Sequence, residues 1–229
     1  MLMYIHHNFG LLQLVFLVIF IIGGAFAGAA RLKMGRVRCA DLQALADRLG
    51  FDSFDPAPDP EFVETWGLLD QFSQGNDRYA FNILRGTYQE QKLFIFDYHY
   101  ETASGKDRKD HVSTIFMLVL KEAFPRITIG PENFLGKIEG MFDKDDVKFE
   151  SAEFSRAFRV RCPDKKFAYD VCNPQMIEYL LANRGFAIEI QGPVISLVFK
   201  PQLPVDQIES NLQRLGQFRA LLPQYLFTA

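Results

Sequence analysis

The sequence predicts an α+β protein: a single N-terminal transmembrane helix, then a mainly antiparallel sheet of about seven strands with packed helices and a C-terminal amphipathic helix. Three observations predict it. Residues 9–30 form an uncharged apolar run broken only by Gln13, which as a helix reaches roughly 33 Å, enough to cross a hydrocarbon core of about 30 Å. Short segments rich in Phe, Tyr, Ile, Val and Thr recur from Tyr79 onward, separated by polar turns. Apolar stripes at helical spacing lie before, between and after them.

Taken in order, residues 1–8 carry no Lys or Arg, whereas Arg31, Lys33, Arg36 and Arg38 follow the apolar run. Basic flanks stay on the cytoplasmic side, so this layout predicts a single pass with the N-terminus out and the C-terminal domain in the cytoplasm. Ala25-Phe26-Ala27 imitates a signal-peptidase site, but the long core and the basic cluster behind it favour an uncleaved anchor. Gly24 and Gly28 have the spacing that lets two membrane helices approach, which offers a homodimer through the span; small residues are also ordinary there.

Residues 31–59 read as a basic juxtamembrane segment, a short helix over 41–49 stopped by Gly50, and a stiff stalk built on Pro56, Pro58 and Pro60. The soluble domain is expected at 60–229. Asp59 caps and Pro60 begins a helix running to about Phe72. Strands are expected at 79–88, 92–102, 111–120 and 126–129 as a meander. A helix follows at 131–142, then a short helical piece at 151–157 and a strand at 158–161. A helix capped by Asn173 comes next, then strands at 186–190 and 194–200 joined at Gly192-Pro193, and last the amphipathic helix 204–222. A seven-strand sheet closed by a helix also suggests a pleckstrin-like layout.

The charge is divided unevenly. Of 25 Lys+Arg, four fall in the first 38 residues, leaving 21 against all 28 Asp+Glu, a net of −7 for the remainder. A soluble part that acidic repels phosphate backbones, which excludes nucleic acid as a partner. Cys39, Cys162 and Cys172 form no C-x-x-C pair, so neither a zinc ribbon nor a thioredoxin-like site is available.

His99 and His111 are the two histidines outside the N-terminal tail. If the hairpin between their strands turns about Gly105, His99 lies opposite His111, and Asp97, His99, His111 and Ser113 share a face. Two imidazoles and a carboxylate are a metal set; a shift of one residue in the turn breaks it. Ser104-Gly105-Lys106 lacks the earlier glycine of a phosphate-binding loop, and Asp143-Lys144-Asp145-Asp146 lacks the sixth-position Gly and twelfth-position Glu of a calcium loop. The sequence therefore assigns no catalytic residue and no cofactor.

The run from Phe149 to Val160, followed by Asp164, Ala168, Asn173-Pro174-Gln175-Met176 and Leu180, resembles a module of an uncharacterised family of bacterial membrane-anchored proteins; Gly86-Thr87-Tyr88 and Phe96-Asp97-Tyr98 extend the resemblance over about 79–200. The resemblance implies a bacterial, membrane-attached origin and supplies no catalytic residues. Together these readings predict a non-catalytic interaction domain on the cytoplasmic side of a bacterial membrane, with the lipid bilayer and a further protein as partners. A metal-dependent enzyme using Asp97, His99 and His111, and a pleckstrin-like headgroup-binding module, are the alternatives.

Overall fold

A computed structural model of the chain describes residues 33–103, 105–131 and 145–227. The chain divides into two compact units, Met1–Ala44 and Leu45–Ala229. The described helix α1 covers 33–49 and carries Lys33, Arg36, Arg38, Asp41, Asp47 and Arg48. Among the described residues no helix is long and apolar enough to cross a membrane, and the expected fold class is corrected on that finding: the structure is an α+β domain on a six-stranded sheet, without a spanning helix among its described elements. The run 9–30, with Gly24, Gly28 and the neighbouring Arg31, lies outside the described residues, as do positions 132–142 of the expected helix 131–142.

The sheet runs β1 (Ser53–Asp55), β2 (Asn76–Tyr88), β3 (Gln91–Thr102), β4 (Lys109–Gly130), β5 (Arg159–Arg161), with β6 (Ala187–Phe199) also pairing with β4. Every pairing is antiparallel. Six strands replace the expected seven: two expected pairs are each one long bent strand, which leaves five, and the unexpected β1 makes the sixth. β4 and β6 stay paired from Thr114↔Phe199 to Ile129↔Ile188, with register shifts around Phe124. Gly192, read from sequence as a turn, sits opposite Phe124 at φ +55°, so it bends the ladder without ending it.

The expected stalk is also corrected. Ser53–Asp55 pairs with Ile83–Arg85 as β1, and Asp59 exchanges backbone hydrogen bonds with Ala80 (2.7 and 3.1 Å). Pro56 and Pro58 fall between β1 and the Asp59–Ala80 bridge, where a missing N–H leaves no ladder bond unmade, and Pro60 opens the helix that follows. The helix expected over 60–72 is instead α2 (Pro60–Thr65) followed by a 3₁₀ turn at Asp70–Ser73. Its cap is as the sequence predicts: Asp59 accepts from Phe62 N at 2.8 Å.

The 60–73 segment covers one face of the sheet. Phe62, Val63, Leu69 and Phe72 pack with Phe96, Tyr98, Ile115, Met117 and Val198, and Phe62 meets Phe96 edge-on at 4.9 Å. Each such side chain contributes roughly 2–3 kcal/mol by leaving water. On the opposite face Ile95, Phe116 and Leu197 form one fully buried row across three strands. Three helices then follow the chain order: α3 (Ala152–Ala157), α4 (Lys165–Val171) and α5 (Pro174–Ala182). Helix α6 (Ile208–Leu221) joins α5 through Tyr179 Oη, which donates to Arg214 O at 2.9 Å. Phe154, Phe158, Val160, Met176 and Leu180 are all buried.

Candidate functional site

The hairpin between β3 and β4 decides the fate of the predicted metal set. Thr102 pairs with Lys109, so the connecting loop holds six residues and is centred between Gly105 and Lys106, with Ala103 and Gly105 at positive φ. Tyr100 then faces His111, and His99 faces Val112. That half-residue offset of the turn centre moves His111 and Ser113 to the face opposite Asp97 and His99, because strand side chains alternate faces. The expected set of Asp97, His99 and His111 does not form.

Each of those residues is used locally. Asp97, 1% exposed, accepts from Asn82 Nδ2 (2.8 Å) and Thr114 Oγ1 (2.9 Å); Thr114 Oγ1 in turn accepts from Leu203 N (3.0 Å). Asn82 sits at φ +52° in the irregular stretch of β2 between Phe81 and Leu84, so the carboxylate pins a bulge. His111 Nε2 bonds Thr102 Oγ1 at 2.7 Å, and its ring stacks on Tyr100 at 4.7 Å. Across the ladder from Tyr98 lies Ser113; both hydroxyls are buried without a hydrogen-bond partner among the described residues.

His99 keeps different company. Its ring stacks on Tyr79 at 4.6 Å, Nδ1 lies 3.1 Å from Asp77 O, and Nε2 lies 3.7 Å from Asp110. The ligating atoms of His99, Glu101 and Asp110 all fall within 4.8 Å of one another, which is a spacing a divalent ion can use. However, Arg108 already pairs with Glu101 and lies 3.5 Å from Asp110. A guanidinium between the two carboxylates supplies the positive charge that an ion would bring, so the cluster stands as an ion-pair network.

A second polar cluster lies under the 60–73 segment. Glu189, 4% exposed, accepts from Asp70 N (2.5 Å) and Gln71 N (3.4 Å). Gln71 Nε2 donates to Ser196 Oγ at 3.3 Å, and Arg126 joins Asp70 to Asp145, each at 3.3 Å. Burial, with the nearby Asp70 charge second, pushes the Glu189 carboxyl up to about 8, against the pull of the two backbone N–H groups and Arg126. Sequence reasoning passed over this residue, although a lone Glu inside Ala187-Ile188-Glu189-Ile190 is the kind of interruption that marks a buried charge. The cluster holds the 3₁₀ turn against β6.

Lys33, Arg36 and Arg38, predicted to set topology, lie on α1. Cys162 and Cys172 are free, buried thiols held above the usual thiol range by burial. Clefts open on the surface between described residues, two of them beside elements named above. One of about 460 Å³ lies between α2 and the start of β2, lined by Val63, Glu64, Phe72, Asp77 and Arg78 among others. The other, about 330 Å³, lies between residues 146–148 and 155–160.

No family model matches the chain, and no curated protein matches it. Among solved structures, the chain is similar in fold to the mycobacterial trehalose monomycolate transport factor A, TtfA, at a TM-score of 0.56 and 13% identity, covering 81% of this chain and 96% of that one. At that identity the likeness is one of fold.

Proposed function

We propose that this chain is a non-catalytic accessory factor of envelope-lipid transport, working at the cytoplasmic face of a bacterial membrane by binding another protein of the transport assembly. The fold likeness to a trehalose monomycolate transport factor along 96% of that chain carries the reading. The polar groups of the sheet support it. Asp97, His111 and Glu101 direct their polar atoms at internal partners, Asn82 and Thr114, Thr102, and Arg108, as residues that fix a scaffold do.

The test is depletion of the chain in its own host while export of a radiolabelled envelope lipid is followed. The expected result is a fall in outward lipid flux, with the tagged full chain cross-linking stoichiometrically to a membrane transporter. A His99→Ala variant should restore flux, since no chemistry rests on that imidazole. Unchanged flux on depletion would sink the proposal.

A further inference from the structure

The sheet continues past β5 into the segment 145–147. Cys162 N donates to Asp145 O (2.8 Å), Val147 N donates to Val160 O (2.9 Å), and Asp146 bridges to Arg161. Extending that antiparallel register sets Lys148 opposite Arg159. Since alternate residues share a face, Asp146, Lys148, Arg159 and Arg161 project to the same side. The exposed Arg156, near the end of α3, joins Lys148, Ser155 and Arg159 in lining the 330 Å³ cleft.

Among the described residues, the charge lining this cleft does not balance. Asp146 is already shared by two guanidiniums, Arg159 at 2.6 and 2.9 Å and Arg161 at 3.6 Å, and the first of these holds its carboxyl below the usual range. Among the described residues no ion pair joins Lys148 or Arg156 to an acid. Like charges directly opposed across a ladder repel. A basic concavity of this kind stands out in a chain that carries a net of −7 beyond residue 38, 21 Lys+Arg against 28 Asp+Glu. The missing component is an anion with more than one charge and several acceptor oxygens, which a phosphate group supplies and a single carboxylate does not.

We propose that the cleft between 146–148 and 155–160 binds a phosphate group, gripped by Lys148, Arg156 and Arg159. A free phosphate ester and a phospholipid headgroup present the same chemistry, and the inference does not depend on the transport role proposed above.

Calorimetric titration of the full chain in a nonionic detergent, at matched ionic strength in chloride, tests it with two probes: inorganic phosphate and dihexanoyl phosphatidylglycerol. Saturable one-site binding of at least one probe is expected, weakened tenfold or more by Lys148→Ala combined with Arg156→Ala. Lys92→Ala, an exposed cation on β3, should leave it unchanged. Binding of inorganic phosphate identifies a free phosphate as sufficient; binding of the lipid probe alone identifies a headgroup. Lys148 and Arg156 are both exposed, so the variant folds, and circular dichroism checks this. If neither probe binds above the chloride baseline, or the double variant binds as tightly as the parent, the site is refuted.

Discussion

Replacing Glu189 by Gln removes an ionisation that the fold opposes while keeping one oxygen to accept from Asp70 N; the amide nitrogen takes the place of the oxygen that lies 3.4 Å from Gln71 N. The carboxyl titrates near 4.5 unfolded and about 8 folded, so the folded state holds its proton more tightly. Its contribution is fully present below about pH 4.5, is lost as pH rises, and is gone above about pH 8. At about 1.4 kcal/mol per unit, the loss amounts to roughly 3 kcal/mol by pH 7 and about 5 kcal/mol by pH 8 and above. With the side chain 4% exposed, solvent screening leaves this magnitude largely intact. Glu189→Gln should therefore match the parent near pH 4 and exceed it increasingly up to pH 8. Urea unfolding of the full chain and the variant in mild detergent, from pH 4 to 9, measures the difference directly, and titrating groups that do not couple to Glu189 cancel in it. A variant no more stable than the parent at pH 8 would show that the carboxylate is ionised throughout and held by the backbone N–H groups and Arg126. The desolvation argument would then be wrong.

Asp97→Ala should cost about 2–4 kcal/mol by urea unfolding, because it removes the carboxylate to which Asn82 Nδ2 and Thr114 Oγ1 donate in a buried bulge; a loss under about 1 kcal/mol would mean that water replaces the carboxylate. Gly75→Ala should destabilise by roughly 3 kcal/mol or more. Gly75 sits at φ +67°, and a Cβ there would collide with the Glu101 carbonyl oxygen and lie 2.8 Å from Tyr100 Cδ2. For the His99–Glu101–Asp110 cluster, equilibrium dialysis of the full chain with zinc should retain under about a tenth of an equivalent, rising in Arg108→Ala as both carboxylates lose their guanidinium. Stoichiometric zinc in the parent would overturn the ion-pair reading.

Local rules determined much of this fold from sequence alone. Caps at Asp59 and Asn173 accept from Phe62 N and Met176 N as their residue types dictate, since a short side-chain oxygen before a helical proline has few other uses. The β-rich segments and the final helix are where composition and periodicity place them. What the tertiary structure decided is non-local. Whether 111–120 and 126–129 are two strands or one bent β4 depends on β6 pairing with both halves, far later in the chain, from Ile129↔Ile188 to Thr114↔Phe199. The Pro-rich segment became β1 because β2 offered an open edge, which no property of 52–60 reveals. The candidate site turned on a turn centre: six loop residues instead of an odd number send His111 to the far face, and strand alternation converts that small shift into the separation of two imidazoles. Glu189 and the 146–160 cleft are likewise products of packing. The burial of one carboxyl and the facing of unlike numbers of cations and acids arise only when distant segments meet.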